Sequence, residues 1–242
     1  MMSEIDEYAK NGHVVCRAAL DPGALRHLRS AVEELWGLQR AGRVTVAQFD
    51  VREKLPMVME IITLRPLLEL CRKMLGGRDI RLWQEQVIIK PPLTGGETGW
   101  HQDFPFWPMR TPSAITCWIP LQDVDLITGC LRFFSGSHKW DAGATVLPRT
   151  TEDIQRLARA TGEHDGVVPI ADQPMRIGDC SFHHGLVFHG ASANSSTAYR
   201  VAFKVVYMVD GTLYREQSHT LTLNGGLRDG DPIAGASFPI LR

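Results

Sequence analysis

The chain has 242 residues, 44% of them hydrophobic and 22% charged, which is enough to bury one large core and excludes a disordered or coiled-coil chain. With 26 Lys and Arg against 27 Asp and Glu it offers no broad basic field to a phosphate backbone, and its longest apolar runs, such as 114–121, stop far short of a bilayer span. Nucleic acid and membrane are therefore not expected as partners. Cys16, Cys71, Cys117, Cys130 and Cys180 are widely spaced, with no CxxC pair, so neither a disulfide framework nor a thiolate zinc site is expected. The acidic first residues lack the profile of a secretory signal, and a cytoplasmic location is the expectation.

Asp21-Pro22 supplies a helix cap and a first-turn proline, and Leu25, Leu28, Val32, Leu35 and Trp36 follow at helical spacing, which predicts a helix over 22–38. A second helix is predicted from about Thr63, where Leu67, Leu68, Cys71, Met74 and Leu75 form one apolar stripe that Gly76-Gly77 ends. From Asp79 the pattern changes to short β-rich runs over 80–90, 114–121, 129–134, 180–189 and 200–209. A helical insert over about 152–160, capped by Thr150 or Thr151, interrupts them. Helices followed by many short strands predict a single α+β, mainly β domain: a sandwich or jelly-roll barrel with N-terminal helices packed on one sheet. Residues 1–78 are then mostly helical support, and 79–242 the jelly-roll core with its insert near 151–161.

Three features can carry chemistry. His101-Gln102-Asp103 places an imidazole and a carboxylate two positions apart, on one face if the segment is extended. One such pair is expected by chance in this composition, so alone it is weak evidence for a metal site and reads first as a surface hydrogen-bonded pair. His183, His184 and His189 crowd into seven residues of an apolar run, where a buried imidazole needs a partner. Arg200 opens the last long strand. One carboxylate, two imidazoles and an arginine able to grip a carboxylate form the set that non-heme Fe(II) with an α-keto acid requires.

Taken in order, the motifs resemble the phytanoyl-CoA dioxygenase family of Fe(II)/2-oxoglutarate-dependent oxygenases. The matching residues are His101-Gln102-Asp103 with its aromatic, proline-rich continuation, Gly129-Cys130-Leu131 leading to Ser135-Gly136-Ser137-His138, Gly178-Asp179 ahead of His183-His184-Gly185-Leu186, and His189-Gly190 eleven residues before Arg200. The resemblance implies a double-stranded β-helix of the jelly-roll, cupin-like kind. It makes His101, Asp103 and His189 the metal ligands and catalytic set, Arg200 the partner of the far carboxylate of 2-oxoglutarate, and O2 the second co-substrate. Trp118, Thr116 and Gln86 are then expected to contact the co-substrate, and Gln84, Phe104, Phe106, Trp107, His183 and Tyr207 the substrate.

Arg110, Lys204 and Arg215 are available to an anionic or polar group, and His138 is read as a turn residue. Asp103 argues for hydroxylation, because related halogenases carry a small residue there. The expected substrate is a small molecule, oxidised at an unactivated C–H bond with release of succinate and CO2. Two alternatives remain open from the sequence: a jelly-roll hydrolase or isomerase using another metal, and a catalytically silent small-molecule-binding jelly roll.

Overall fold

A computed structural model describes residues 2–37, 46–140, 150–162, 167–223 and 226–242. Ser3 and Asp6 form a capping box at the start of α1 (Glu4–Asn11), which Gly12 ends in the left-handed conformation (φ 76°). β1 (His13–Cys16) follows directly. The Asp21 carboxylate accepts from the amides of Gly23 and Ala24 and, with Pro22, starts α2 (Pro22–Leu35) where the sequence places it. That helix ends at Leu35, short of the expected 38, a position outside the described residues. β2 (Val46–Phe49) then leads to α3 (Val58–Ile62) and α4 (Arg65–Met74).

β3 (Ile80–Lys90), β5 (Ala114–Pro120), β6 (Leu131–Phe134) and β10 (Arg200–Val209) occupy the expected runs, and α5 (Thr151–Ala160), capped by Thr150, is the expected insert. Between them lie β4 (Thr98–His101), β7 (Ile170–Gln173), β8 (Cys180–His184) and β9 (His189–Ala191), and β11 (Ile240–Leu241) closes the chain. Two departures from the sequence reading stand out. The 1–78 region contributes β1 and β2 to the barrel as well as helices. The run 180–189 is two strands, because the chain turns over 185–188 and re-enters a different sheet.

The strands form two antiparallel sheets, a larger one in the order β1-β8-β5-β10-β3-β11, with β2 also on β3, and a smaller one in the order β4-β9-β6-β7. Side chains alternate across the larger sheet. Its outer face presents Val14, Cys117, Phe182, Phe203 and Ile89, among others, to Leu25, Leu28, Val32, Ile62, Leu67 and Leu68 of the helices, so the helical layer and that face share one core. Its inner face carries His183, Thr116, Trp118, Lys204, Gln86 and Arg200 in cross-strand register: Thr116 pairs with His183, Lys204 with both Trp118 and Gln86, and Arg200 with Lys90. This polar face looks toward the smaller sheet and is the wall on which a site can be built. The architecture is the expected jelly-roll barrel with helices on one sheet.

Candidate metal centre

Each sheet delivers part of the site. β4 and β9 pair so that His101 lies directly across from His189, and their rings sit 4.2 Å apart. Gly190 permits this close pairing, since a Cβ there would come within 2.7 Å of the Thr98 carbonyl. Asp103 does not reach the site by strand alternation, as the extended reading of His101-Gln102-Asp103 supposes. β4 ends at His101, and Asp103 takes helical dihedrals at the head of a 3-10 turn over Phe104–Phe106. The Phe104 amide donates to the Gly185 carbonyl, which pins that turn against the loop between β8 and β9.

The result is one cluster: one donor atom from each of His101, Asp103 and His189 lies within 4.8 Å of the others. The ring nitrogens are oriented by their own strands. His101 Nδ1 donates to the Gly99 carbonyl at 2.8 Å and His189 Nδ1 to the Val187 carbonyl at 3.0 Å. A carbonyl only accepts, so both Nε2 atoms keep free lone pairs, and they point at Asp103 Oδ1 from 3.8 and 3.9 Å.

The two carboxylate oxygens have different surroundings. Oδ2 accepts from the Thr116 hydroxyl at 2.7 Å and lies 3.4 Å from His183 Nε2. Oδ1 faces the two imidazoles and the Lys204 ammonium, 3.8 Å away. Burial by itself would push the Asp103 carboxyl up, but Lys204, His183 and His189 outweigh it and hold the group well below the usual carboxylate range. Burial pushes His189 well down, and His101 and His183 add to the effect. An ionised carboxylate with two imidazoles that turn Nε2 toward it is the donor set that suits a divalent first-row metal with open positions. The residues present therefore fit a ferrous ion.

Beside the cluster is a cavity lined by His101, His183, His189, Trp118, Arg200 and Lys204, with apolar contributions from Ile88, Leu131 and Ala191. Arg200 is 2% exposed, yet its Nε and Nη1 have no hydrogen-bond partner among the described residues. Its guanidinium lies 5.6 Å from the Trp118 ring. Buried His183 has Nε2 beside Asp103 Oδ2 and, among the described residues, no hydrogen-bond partner at Nδ1, and its ring is 4.4 Å from that of His189. Unpaired buried donors on a cavity wall are what a bound polar ligand satisfies. A larger cleft of about 630 Å³ lies elsewhere, against Arg17, Asp123, Asp125 and Asp179. Its carboxylates are already engaged: Asp125 accepts from the Ile127 and Thr128 amides, and Asp179 from Arg17 and the Ala18 and Arg176 amides.

Thus the structure brings together His101, Asp103, His189, Arg200, Trp118, Thr116 and His183. His183 and His189 face one another from opposite sheets; they do not share a strand face, as the single-strand reading supposed. Gln84 and Gln86 are buried on the inner face but do not line the cavity, and the Gln84 Oε1 has no hydrogen-bond partner among the described residues. Four aromatic residues expected at the substrate lie away from this cavity. Tyr207 is on the outer face, its hydroxyl donating to the Ile62 carbonyl, because alternation along β10 groups it with Val201, Phe203 and Val205, opposite Arg200 and Lys204. Trp107 packs in a separate core with Trp83, Met109 and Val206. Phe106 is 53% exposed, and Phe104 packs on the Trp107 core, so the 3-10 turn carries these rings away from the cavity. The sequence reading left Lys204 as one of three spare cations; its position four residues after Arg200 on the same strand face is the signal that singles it out.

Comparison with known proteins agrees with this geometry. The family model described as Phytanoyl-CoA dioxygenase (PhyH) matches residues 8–202. The peroxisomal phytanoyl-CoA dioxygenase of Rattus norvegicus is 24% identical over 216 residues, covering 84% of this chain but 61% of the relative, so the chain spans about three fifths of that protein's length. Among solved structures, the non-heme alpha ketoglutarate dependent carbocyclase SnoK from nogalamycin biosynthesis superposes with a TM-score of 0.81 at 25% identity, over 99% of this chain and 95% of that one. The epimerase SnoN, in complex with Fe3+, alpha ketoglutarate and nogalamycin RO, superposes with a TM-score of 0.80 at 26% identity, over 99% and 97%.

Proposed function

The chain belongs to the phytanoyl-CoA dioxygenase (PhyH) family, and from that membership we propose that it is an Fe(II)- and 2-oxoglutarate-dependent dioxygenase that hydroxylates an unactivated C–H bond of a small-molecule metabolite. The observation that carries the proposal is the convergence of His101, Asp103 and His189, from three separate backbone segments, on one point beside a buried arginine without partners for two of its nitrogens. His101 and His189 would hold the metal through Nε2 and Asp103 through Oδ1. A ferrous ion so held supplies the oxidising chemistry, coupling decarboxylation of the keto acid by O2 to loss of hydrogen from the substrate. Arg200 would bind the far carboxylate of 2-oxoglutarate, its position fixed by the Trp118 ring beside it. The apolar wall at Ile88, Leu131 and Ala191 keeps bulk water from the co-substrate. Residues of this kind orient and desolvate; a hydrolase or isomerase using another metal gives the buried Arg200 no task, and a silent binding protein predicts no bound divalent metal.

Anaerobic addition of Fe(II) and 2-oxoglutarate should produce a visible charge-transfer band in the wild type and none in His101→Ala or Asp103→Ala. Retention of the band in both variants refutes the ligand assignment. A second outcome for the same abstraction step is favoured by the similarity to a carbocyclase and an epimerase over nearly the whole chain: ring closure or stereochemical inversion in place of hydroxylation. Mass spectrometry of the product formed under ¹⁸O₂ separates the two, since hydroxylation adds one labelled oxygen and the others add none.

A further inference from the structure

Two cations line the cavity. Arg200 and Lys204 share one face of β10, four residues and ~13 Å apart along the strand, with only Ala202 between them on that face. Among the described residues Arg200 has no acidic partner, and Lys204 has one carboxylate, Asp103, in reach. The Lys204 Nζ faces Asp103 Oδ1, the same oxygen that both metal-facing imidazoles address. Lys204 is 15% exposed at its side chain and makes no hydrogen bond among the described residues. A partly buried ammonium with a single ionic neighbour and no hydrogen bond among the described residues depends on that neighbour.

A divalent ion placed among these donors would draw on Oδ1 and would itself repel Lys204 at close range. Metal and lysine thus compete for one carboxylate oxygen until a second anion arrives. We propose, building on the function assigned above, that Lys204 binds the keto-acid carboxylate nearest the metal, opposite the end held by Arg200, and so makes metal binding and 2-oxoglutarate binding mutually dependent. The slot then has a cation for each end of a short dicarboxylate, and Lys204 regains an anionic partner only when both metal and co-substrate are present. Coupling of this kind is reciprocal: whatever 2-oxoglutarate adds to metal affinity, the metal adds to 2-oxoglutarate affinity.

The test is a binding cycle that needs no turnover. Mn(II) affinity is measured by electron paramagnetic resonance of the free ion, without and with saturating 2-oxoglutarate, in the wild type, Lys204→Met and Lys204→Gln. In the wild type 2-oxoglutarate should tighten Mn(II) binding. In both variants Mn(II) alone should bind several-fold more tightly than to the wild type, because the competing cation is gone, while the tightening by 2-oxoglutarate should shrink at least five-fold. Unchanged tightening in two variants that still bind Mn(II) overturns the role of Lys204 and leaves the dioxygenase reading intact. A wild type that binds no Mn(II), or binds it without response to 2-oxoglutarate, overturns both. Should Lys204→Met fail to fold, the closer-shaped Lys204→Gln decides.

Discussion

At the scale of the residue, the division of labour between the two oxygens of Asp103 is the finest feature of the site. Thr116 donates to Oδ2, which leaves Oδ1 to the imidazoles and directs the carboxylate to bind a metal through one oxygen. Outer-shell hydrogen bonds of this kind are typically worth 10–100-fold in metal affinity. Thr116→Val keeps the shape and removes the donor, so Mn(II) affinity should fall by roughly ten-fold with little loss of stability. Equal affinities for variant and wild type in a Mn(II) titration would show that the hydroxyl does not orient Asp103. The sequence singled out Thr116 through strand parity with Trp118, which put it on the correct face. It could not show that the nearest polar atom on that face is a carboxylate oxygen thirteen residues earlier in the chain.

Among elements, the β4–β9 pair holds the site together, since its ladder sets His101 opposite His189. Gly190→Ala inserts a Cβ that would lie 2.7 Å from the Thr98 carbonyl, and backbone must move to admit it. Overpacking of this sort costs about 1–3 kcal/mol. Because the displaced strand carries one histidine and faces the other, a lower melting temperature should be accompanied by loss of Mn(II) binding in the fraction that remains folded. A variant that melts early yet binds metal normally would mean that the two strands position their histidines independently. Long, strongly patterned elements such as α2, β3 and β10 were legible because apolar spacing and punctuation agree over ten or more residues. β4 and β9 were not. Each is three or four residues long, and β9 lies within the run 180–189, whose turn passes Gly185, where the Trp107 ring packs so close that a Cβ would come within 2.7 Å of it.

Across the whole molecule, the barrel depends on the two sheets staying in contact, and His13 is one of the groups that join them. From β1 of the larger sheet its Nε2 meets the Ser135 hydroxyl at 2.8 Å and its Nδ1 the Gln173 amide at 2.6 Å, both on the side of the smaller sheet. Its ring stacks on Phe133 with centroids 4.3 Å apart. Burial pushes this imidazole down to about 4, with His183 and His138 adding to the effect. An unfolded chain takes up a proton at His13 near the ordinary histidine value of 6.5, whereas the folded protein resists until about 4. Stability is therefore lost as pH falls through that window, by roughly 3 kcal/mol for a shift of this size. Urea midpoints at pH 7.5 and 4.5 should drop more for the wild type than for His13→Gln. Equal drops would assign the acid sensitivity to other groups.

The amino-acid order by itself determined the class of fold, the long helices and strands, and the identity of the four residues around which the chemistry is proposed. Local periodicity and motif order are written in neighbouring positions, and the proposed ligands are residue types with few other uses in an apolar run. Only the tertiary structure decided that Asp103 enters from a 3-10 turn, that His183 and His189 belong to different sheets, that Trp107 serves a core, and that Lys204 shares Asp103 with the imidazoles. Each of these depends on a turn or a contact between the two sheets. Such features change which face a side chain occupies without altering the hydrophobic pattern that precedes them.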